Sequence, residues 1–148
     1  MTEQDMTVFV NSVLTYFERI SGVAATTGIP RKKEGDSVML DYTGIIGISG
    51  QRKGCVYFTT SGEMLRQVIG AVLGEGEVSE EATQSMAGEI ANTIAGYAQE
   101  SLGEGFLISV PVVVRGQAQD VSLPLDVSSF VLPVDWQNNR AYLVVGVQ

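Results

Sequence analysis

Residues 79–103 read SEEATQSMAGEIANTIAGYAQESLG, and the layout of the chain is set by this stretch. Ser79 is a residue type favoured at a helix N-cap, and Glu80 and Glu81 fall in the first turn, where carboxylates complement the helix dipole. Gly103 and Gly105 supply the stop. A long helix is therefore predicted from about Glu80 to Leu102. At about 100° per residue, Ala82, Met86, Ile90, Ile94 and Tyr97 share an arc of roughly 120°, which is the expected buried face. Ser85, Glu89, Asn92, Gly96 and Gln99 form a second stripe, centred roughly 120° around the helix from the first. Glu89 and Asn92 are thus expected to point away from the core together.

This stripe is costly for a helix. Asparagine is less favourable than alanine in a helix interior by several tenths of a kcal/mol and glycine by about 1 kcal/mol, so Gly88, Asn92 and Gly96 together cost on the order of 2 to 3 kcal/mol. A bare backbone at the two glycines lets another surface approach closely, with an acid and an amide between them to reach into it. Glycines also serve close packing within one protein, and an acid and an amide three residues apart occur on ordinary solvent faces. Spacing alone leaves both readings open.

Outward from this helix, Val10, Val13, Leu14, Phe17 and Ile20 follow the three-and-four spacing of an apolar helical face between Met6 and Ile20, with Gly22 as its stop. Thr26 to Gly35 reads as a loop containing Gly28, Pro30 and the basic cluster Arg31, Lys32 and Lys33. DSVMLDYTGIIGISG (36–50) followed by RKGCVYFTT (52–60) reads as a two-stranded hairpin. The sequence Thr60-Ser61-Gly62-Glu63 offers a capping box for a short helix carrying Met64, Leu65, Val68, Ile69, Val72 and Leu73, closed by Gly74. After the long helix come LISVPVVVRG, in which Pro111 implies an edge strand or extended loop, and two runs, VSSFVLPVD and RAYLVVGVQ, expected to form a second hairpin. The order of elements predicts an α+β fold: a mostly antiparallel sheet packed with about three helices, the long helix on the outer surface, within one domain spanning 1–148.

Composition narrows the chemistry. A formal net charge of −8 over 148 residues disfavours nucleic acid and anionic membranes as partners. The single cysteine, Cys55, cannot form an internal disulfide and suits a buried strand position; with an acidic N-terminus unlike a secretory signal, it suggests a soluble, cytoplasmic protein. There is no histidine. The usual general base and usual zinc ligand are missing, so any chemistry falls to carboxylates, amides or hydroxyls. The glycine-rich GIIGISG lacks the Gly-Lys-Ser/Thr ending of a phosphate loop and suits strand twisting or bulges. Glu75, Glu77, Glu80 and Glu81 lack the spacing of a Ca²⁺ loop and read as a solvated helix start. Trp136 reads as a packing residue near a turn.

GEIANTIAG (88–96) resembles the signature of the CheC/CheX-type chemotaxis phosphatase family, a Glu-x-x-Asn within a Gly-Glu-Ile/Leu-x-Asn-x-x-x-Gly frame. Gly88, Glu89, Ile90, Asn92 and Gly96 occupy its positions. The order of elements agrees over nearly the whole chain, and SVPVVVRG is similar to a proline-containing stretch of that family. The resemblance implies hydrolysis of the aspartyl-phosphate on a CheY-type response regulator. Asn92 would hold the attacking water in line with phosphorus, and Glu89 would pair with the regulator's active-site lysine. Ser85, Gly88, Glu89, Asn92, Gly96 and Gln99 would form the contact surface. Mg²⁺ would sit in the regulator's acidic pocket, the chain holding no metal or other cofactor of its own. Glu18-Arg19-Ile20-Ser21 and Glu63-Met64-Leu65-Arg66 lack the asparagine of a second motif, so the chain is similar to the single-motif, CheX-like branch, which implies a homodimer. Two other readings stand beside this one: a receiver-domain binding module without hydrolysis, and a structural subunit in which the motif is accidental.

Overall fold

The computed structural model describes residues 1–34, 38–116 and 128–148. Three helices, α1 (Glu3–Ser21), α2 (Gly62–Leu73) and α3 (Glu80–Leu102), accompany eight strands: β1 (Thr26–Thr27), β2 (Arg31–Lys32), β3 (Tyr42–Gly50), β4 (Gly54–Thr60), β5 (Phe106–Ile108), β6 (Val112–Arg115), β7 (Phe130–Trp136) and β8 (Asn139–Val147). The strands form one sheet in the order β1-β7-β8-β4-β3-β5, with β2 also on β7 and β6 also on β3. Every pairing is antiparallel. The predicted α+β fold is the one observed.

The helices pack on one sheet face. Ile46, Val56, Phe58, Leu132, Trp136, Leu143 and Val145 point to that side and share a core with Phe9, Val13 and Phe17 of α1, Leu65 and Val68 of α2, and Ile90 and Ile94 of α3. Alternate residues Tyr57, Val131 and Val144 are buried on the other side, beside Val38, Ile45, Cys55 and Tyr142. Burial on both faces explains why β8 reads as a nearly continuous apolar run.

Local chemistry sets the ends of the elements. Thr2 and Asp5 form a capping box that starts α1 three residues before the expected point, and Gly22 closes it in the left-handed region at φ 70°. The α2 cap is Ser61, whose hydroxyl accepts from the Met64 N–H at 3.1 Å; Thr60 stays in β4, so the expected threonine cap is displaced by one residue. Gln137 and Asn138, at φ 47° and 65°, make the tight turn of the predicted β7–β8 hairpin, as positive φ at both central positions requires. Within the expected loop after α1, residues 26–27 and 31–32 add to the sheet edge along β7. Pro111 separates β5 from β6, and both lie at the opposite edge on β3.

Candidate active site

The sheet brings α3 unusually close. A Cβ on Gly44 of β3 would meet the Ala87 carbonyl at well under 3.0 Å from its oxygen and 2.8 Å from its carbon, and Ala91 Cβ at 3.1 Å. Gly44 therefore permits contact between helix and strand backbones, and β3 keeps a continuous register with β4 through it. This is the role of that glycine. Of the two expectations for GIIGISG, strand twisting or bulges, the second is not met, since no bulge interrupts the β3–β4 register.

The close approach also turns the helix. Its buried residues are Thr83, Ala87, Gly88, Ile90, Ala91, Ile94, Ala95 and Ala98, a face rotated by roughly 90° from the predicted arc. Ala82, Met86 and Tyr97, expected in the core, are only half-buried. Large apolar residues dominate a sequence-based reading of a helical face, whereas small residues fit against a bare strand.

On the opposite side, Ser85 and Glu89 are exposed and Asn92 is half-buried. Neither the Glu89 carboxylate nor the Asn92 side-chain amide hydrogen-bonds or ion-pairs with any described residue. Gly96 is half-buried, and a Cβ there would have nothing within 4 Å. These four residues leave an acid, an amide and a patch of bare backbone available to an outside surface.

Gly88 and Gln99 are placed differently. Gly88 is buried, and a Cβ would meet Val113 Cγ2 at 3.1 Å and Pro111 Cβ at 3.3 Å. Its bareness serves packing within the chain, where the β5–β6 segment lies against α3. Gln99 Nε2 donates to the Phe106 carbonyl at 2.9 Å, so its amide ties α3 to β5 and is already engaged. The stripe is thus fixed along one flank by its own sheet edge.

Two flanking features have no local sequence signal. At the start of α3, Glu80 accepts from the Tyr42 hydroxyl at 2.7 Å and pairs with Arg115 at 3.2 Å. The Tyr42 hydrogen bond is the first cause holding the Glu80 carboxyl below the usual range. Along the α1 side, the Arg19 guanidinium lies 4.9 Å from the centroid of the Tyr97 ring. Beneath this seam, burial pushes the Tyr16 hydroxyl well above its ordinary pKa, with Tyr97 and Glu89 adding to the shift. Tyr16 remains a neutral phenol near the Glu89 charge. Elsewhere, Trp136 is buried and donates to the Val23 carbonyl at 3.2 Å, in keeping with a packing role, while Cys55 is half-buried on the face away from the helices. Among the described residues no three His, Cys, Asp or Glu side chains converge as a metal-binding group, and no helix is long and apolar enough to cross a membrane.

Three helices lie on one face of an antiparallel sheet, and the longest carries an exposed Glu89 and a half-buried Asn92 on its outer flank. The family model described as chemotaxis phosphatase CheX matches residues 42–135, which include all of α3. The chain belongs to the CheX family of chemotaxis phosphatases. Solved structures share the fold. A CheC-like superfamily protein from Shewanella sp. PV-4 superposes with a TM-score of 0.86 at 23% identity, over 100% of this chain and 99% of that one. A chemotactic CheC-like protein from Shewanella oneidensis MR-1 gives 0.84 at 26% identity over 100% of both chains. The CheX–CheY–BeF3–Mg²⁺ complex from Borrelia burgdorferi gives 0.77 at 18% identity over 97% of both chains. No curated protein matches the sequence.

Proposed function

We propose that this chain hydrolyses the aspartyl-phosphate of a CheY-type response regulator, with α3 docking across the regulator's active site. The observation that carries this reading is the state of Glu89 and Asn92: three residues apart on one helix face, without hydrogen-bond or ion-pair partners among the described residues, beside open backbone at Gly96. Asn92 orients the attacking water. A carboxamide donates and accepts at once, so one neutral side chain can hold a water while contacting a phosphoryl oxygen. Phosphoryl transfer needs chiefly positioning and charge stabilisation, and it tolerates a catalyst without a base of its own. Glu89 pairs with the regulator's lysine and sets the docking register. Mg²⁺ belongs to the regulator's carboxylates in this reading. The CheX from Borrelia burgdorferi is solved in complex with CheY, which supports a CheY-type partner.

The outward-facing part of the stripe, with Ser85 and Glu89 exposed and Asn92 and Gly96 half-buried, argues against a purely structural role for the motif, although Gly88 taken alone has one. We further propose a homodimer with two equivalent sites; β1 and β5 end the strand order, and sheet edges favour pairing or cover. The phosphatase reading is tested by adding the chain to phosphorylated receiver domains from the same genome. Accelerated phosphate release supports it. A receiver that binds and keeps its phosphate unchanged identifies a docking module.

A further inference from the structure

The docking reading of α3 assigns a use to its negative group, Glu89, and leaves a positive group beside it without one. Arg19 projects from α1 and is exposed. Its guanidinium stacks over Tyr97, 4.9 Å from the ring centroid, and Tyr97 is the residue immediately after the bare Gly96. Three of the six arginines of this acidic chain are held in ion pairs: Arg52 by Asp5 at 2.8 Å, Arg115 by Glu80 at 3.2 Å, Arg140 by Asp135. Arg19 makes no ion pair with a described residue. Glu100, Asn11 and Thr15 line the same α1–α3 groove, whose volume of about 220 Å³ suits one or two side chains. Glu100 leaves the guanidinium unpaired there.

We propose that Arg19 is a specificity-determining residue that receives a carboxylate from the docked receiver domain. The proposal rests on the docking reading and extends it to a second contact. Three observations favour a carboxylate partner. Stacking on Tyr97 holds the guanidinium in place, and its planar fork presents paired donors matched to a carboxylate. The chain carries −8 overall and must approach a site that is itself anionic, where carboxylates hold Mg²⁺ around a phosphoryl group. A local cation on the rim lowers that repulsion and steers the encounter. Finally, Glu89 and Tyr97 are eight residues apart, an offset of about 12 Å between their backbone positions along the helix axis, so the acid and the ring that carries the Arg19 guanidinium lie toward different ends of the stripe. A receiver is accepted when it presents its active-site lysine to Glu89 and an acid to Arg19, toward the Gly96–Tyr97 end of the stripe. One with a lysine or arginine at that second position is rejected by like charge.

The experiment compares wild type with Arg19→Ala, Arg19→Lys and Arg19→Glu, using phosphorylated receiver domain for steady-state hydrolysis and receiver loaded with beryllofluoride and Mg²⁺ for binding. Arg19→Ala should raise KM and weaken binding roughly tenfold with kcat unchanged, Arg19→Glu should do so more strongly, and Arg19→Lys should restore part of the loss. The difference between wild type and Arg19→Ala should shrink with added salt. Thermal midpoints should stay equal, which separates docking from folding. Equal KM and equal binding for wild type and Arg19→Glu at low salt would overturn the proposal. So would a fall in kcat alone, because that places Arg19 in the chemistry. If wild type binds but hydrolyses no receiver, the catalytic reading fails while the binding arm still tests Arg19; if wild type binds none, the docking reading fails and the proposal falls with it.

Discussion

Gly44 and Gly96 sit on opposite sides of the same helical segment, and substituting each should have opposite consequences. A methyl at Gly44 meets the Ala87 carbonyl carbon at 2.8 Å and Ala91 Cβ at 3.1 Å, with the Ala87 oxygen nearer still. Two of these atoms are backbone, so no rotamer change relieves the contact. Restoring ordinary van der Waals distance requires α3 to lift from β3 by roughly 1 Å, an overpacking cost of about 3 kcal/mol, at the upper end for an added methyl group. At about 2 to 4 °C per kcal/mol for a chain of this size, Gly44→Ala should melt about 6 to 12 °C below wild type. The lift moves Asn92 as well, and a misplacement of about 1 Å can cost on the order of 10²-fold in rate. Gly96→Ala places its methyl in open space, so it should melt no lower than wild type and gain up to about 1 kcal/mol from helix propensity. Gly96→Leu should keep the fold and impair receiver docking by standing in the partner's path. Urea or thermal denaturation followed by phosphatase and binding assays reads all three variants. A Gly44→Ala protein as stable as wild type would refute the close-contact account of α3, and normal docking by Gly96→Leu would refute the bare-backbone contact.

Two further outcomes are expected. Arg52 donates to both Asp5 carboxylate oxygens, at 3.1 and 2.8 Å, and this bond is the main cause of an Asp5 pKa lowered to about 2. A carboxyl depressed in the folded state stabilises it fully above the unfolded value, about 3.9, and loses that contribution as pH falls through the folded one. Urea midpoints should therefore drop between about pH 4 and pH 2, and Asp5→Asn should flatten that drop; an unchanged slope in the variant would count against the pair. Sedimentation of the chain alone should give twice the mass of one chain if the proposed homodimer forms, and a single-chain mass at micromolar concentration would exclude it.

The elements themselves were legible because their signals are local. Ser79 and Gly103 bracket α3, Gly22 ends α1, and the Gln137–Asn138 turn joins two alternating runs. The orientation of α3 was less so. Hydrophobic patterning weights Met86 and Tyr97, which face half-buried surroundings, whereas the helix seats its alanines against Gly44, a partner that only tertiary structure supplies. The same reasoning divides the two motif glycines. Gly88 and Gly96 look equivalent in sequence, yet Pro111 and Val113 cover the first and nothing covers the second. Glu89 and Asn92 were readable as a pair because helical spacing alone sets their common face. Arg19 was not, since its stacking on Tyr97 joins two helices far apart in the chain and leaves no periodic trace.

The central claim is that Asn92 positions water for attack on the regulator's aspartyl-phosphate. Its most direct measure is the maximal rate of phosphate release from saturating phosphorylated receiver, for wild type and for Asn92→Ala. The account predicts that Asn92→Ala binds the receiver with little change and loses roughly 10²-fold or more of the acceleration, as removal of a positioned polar group does. An Asn92→Ala protein that hydrolyses the receiver as fast as wild type would contradict it.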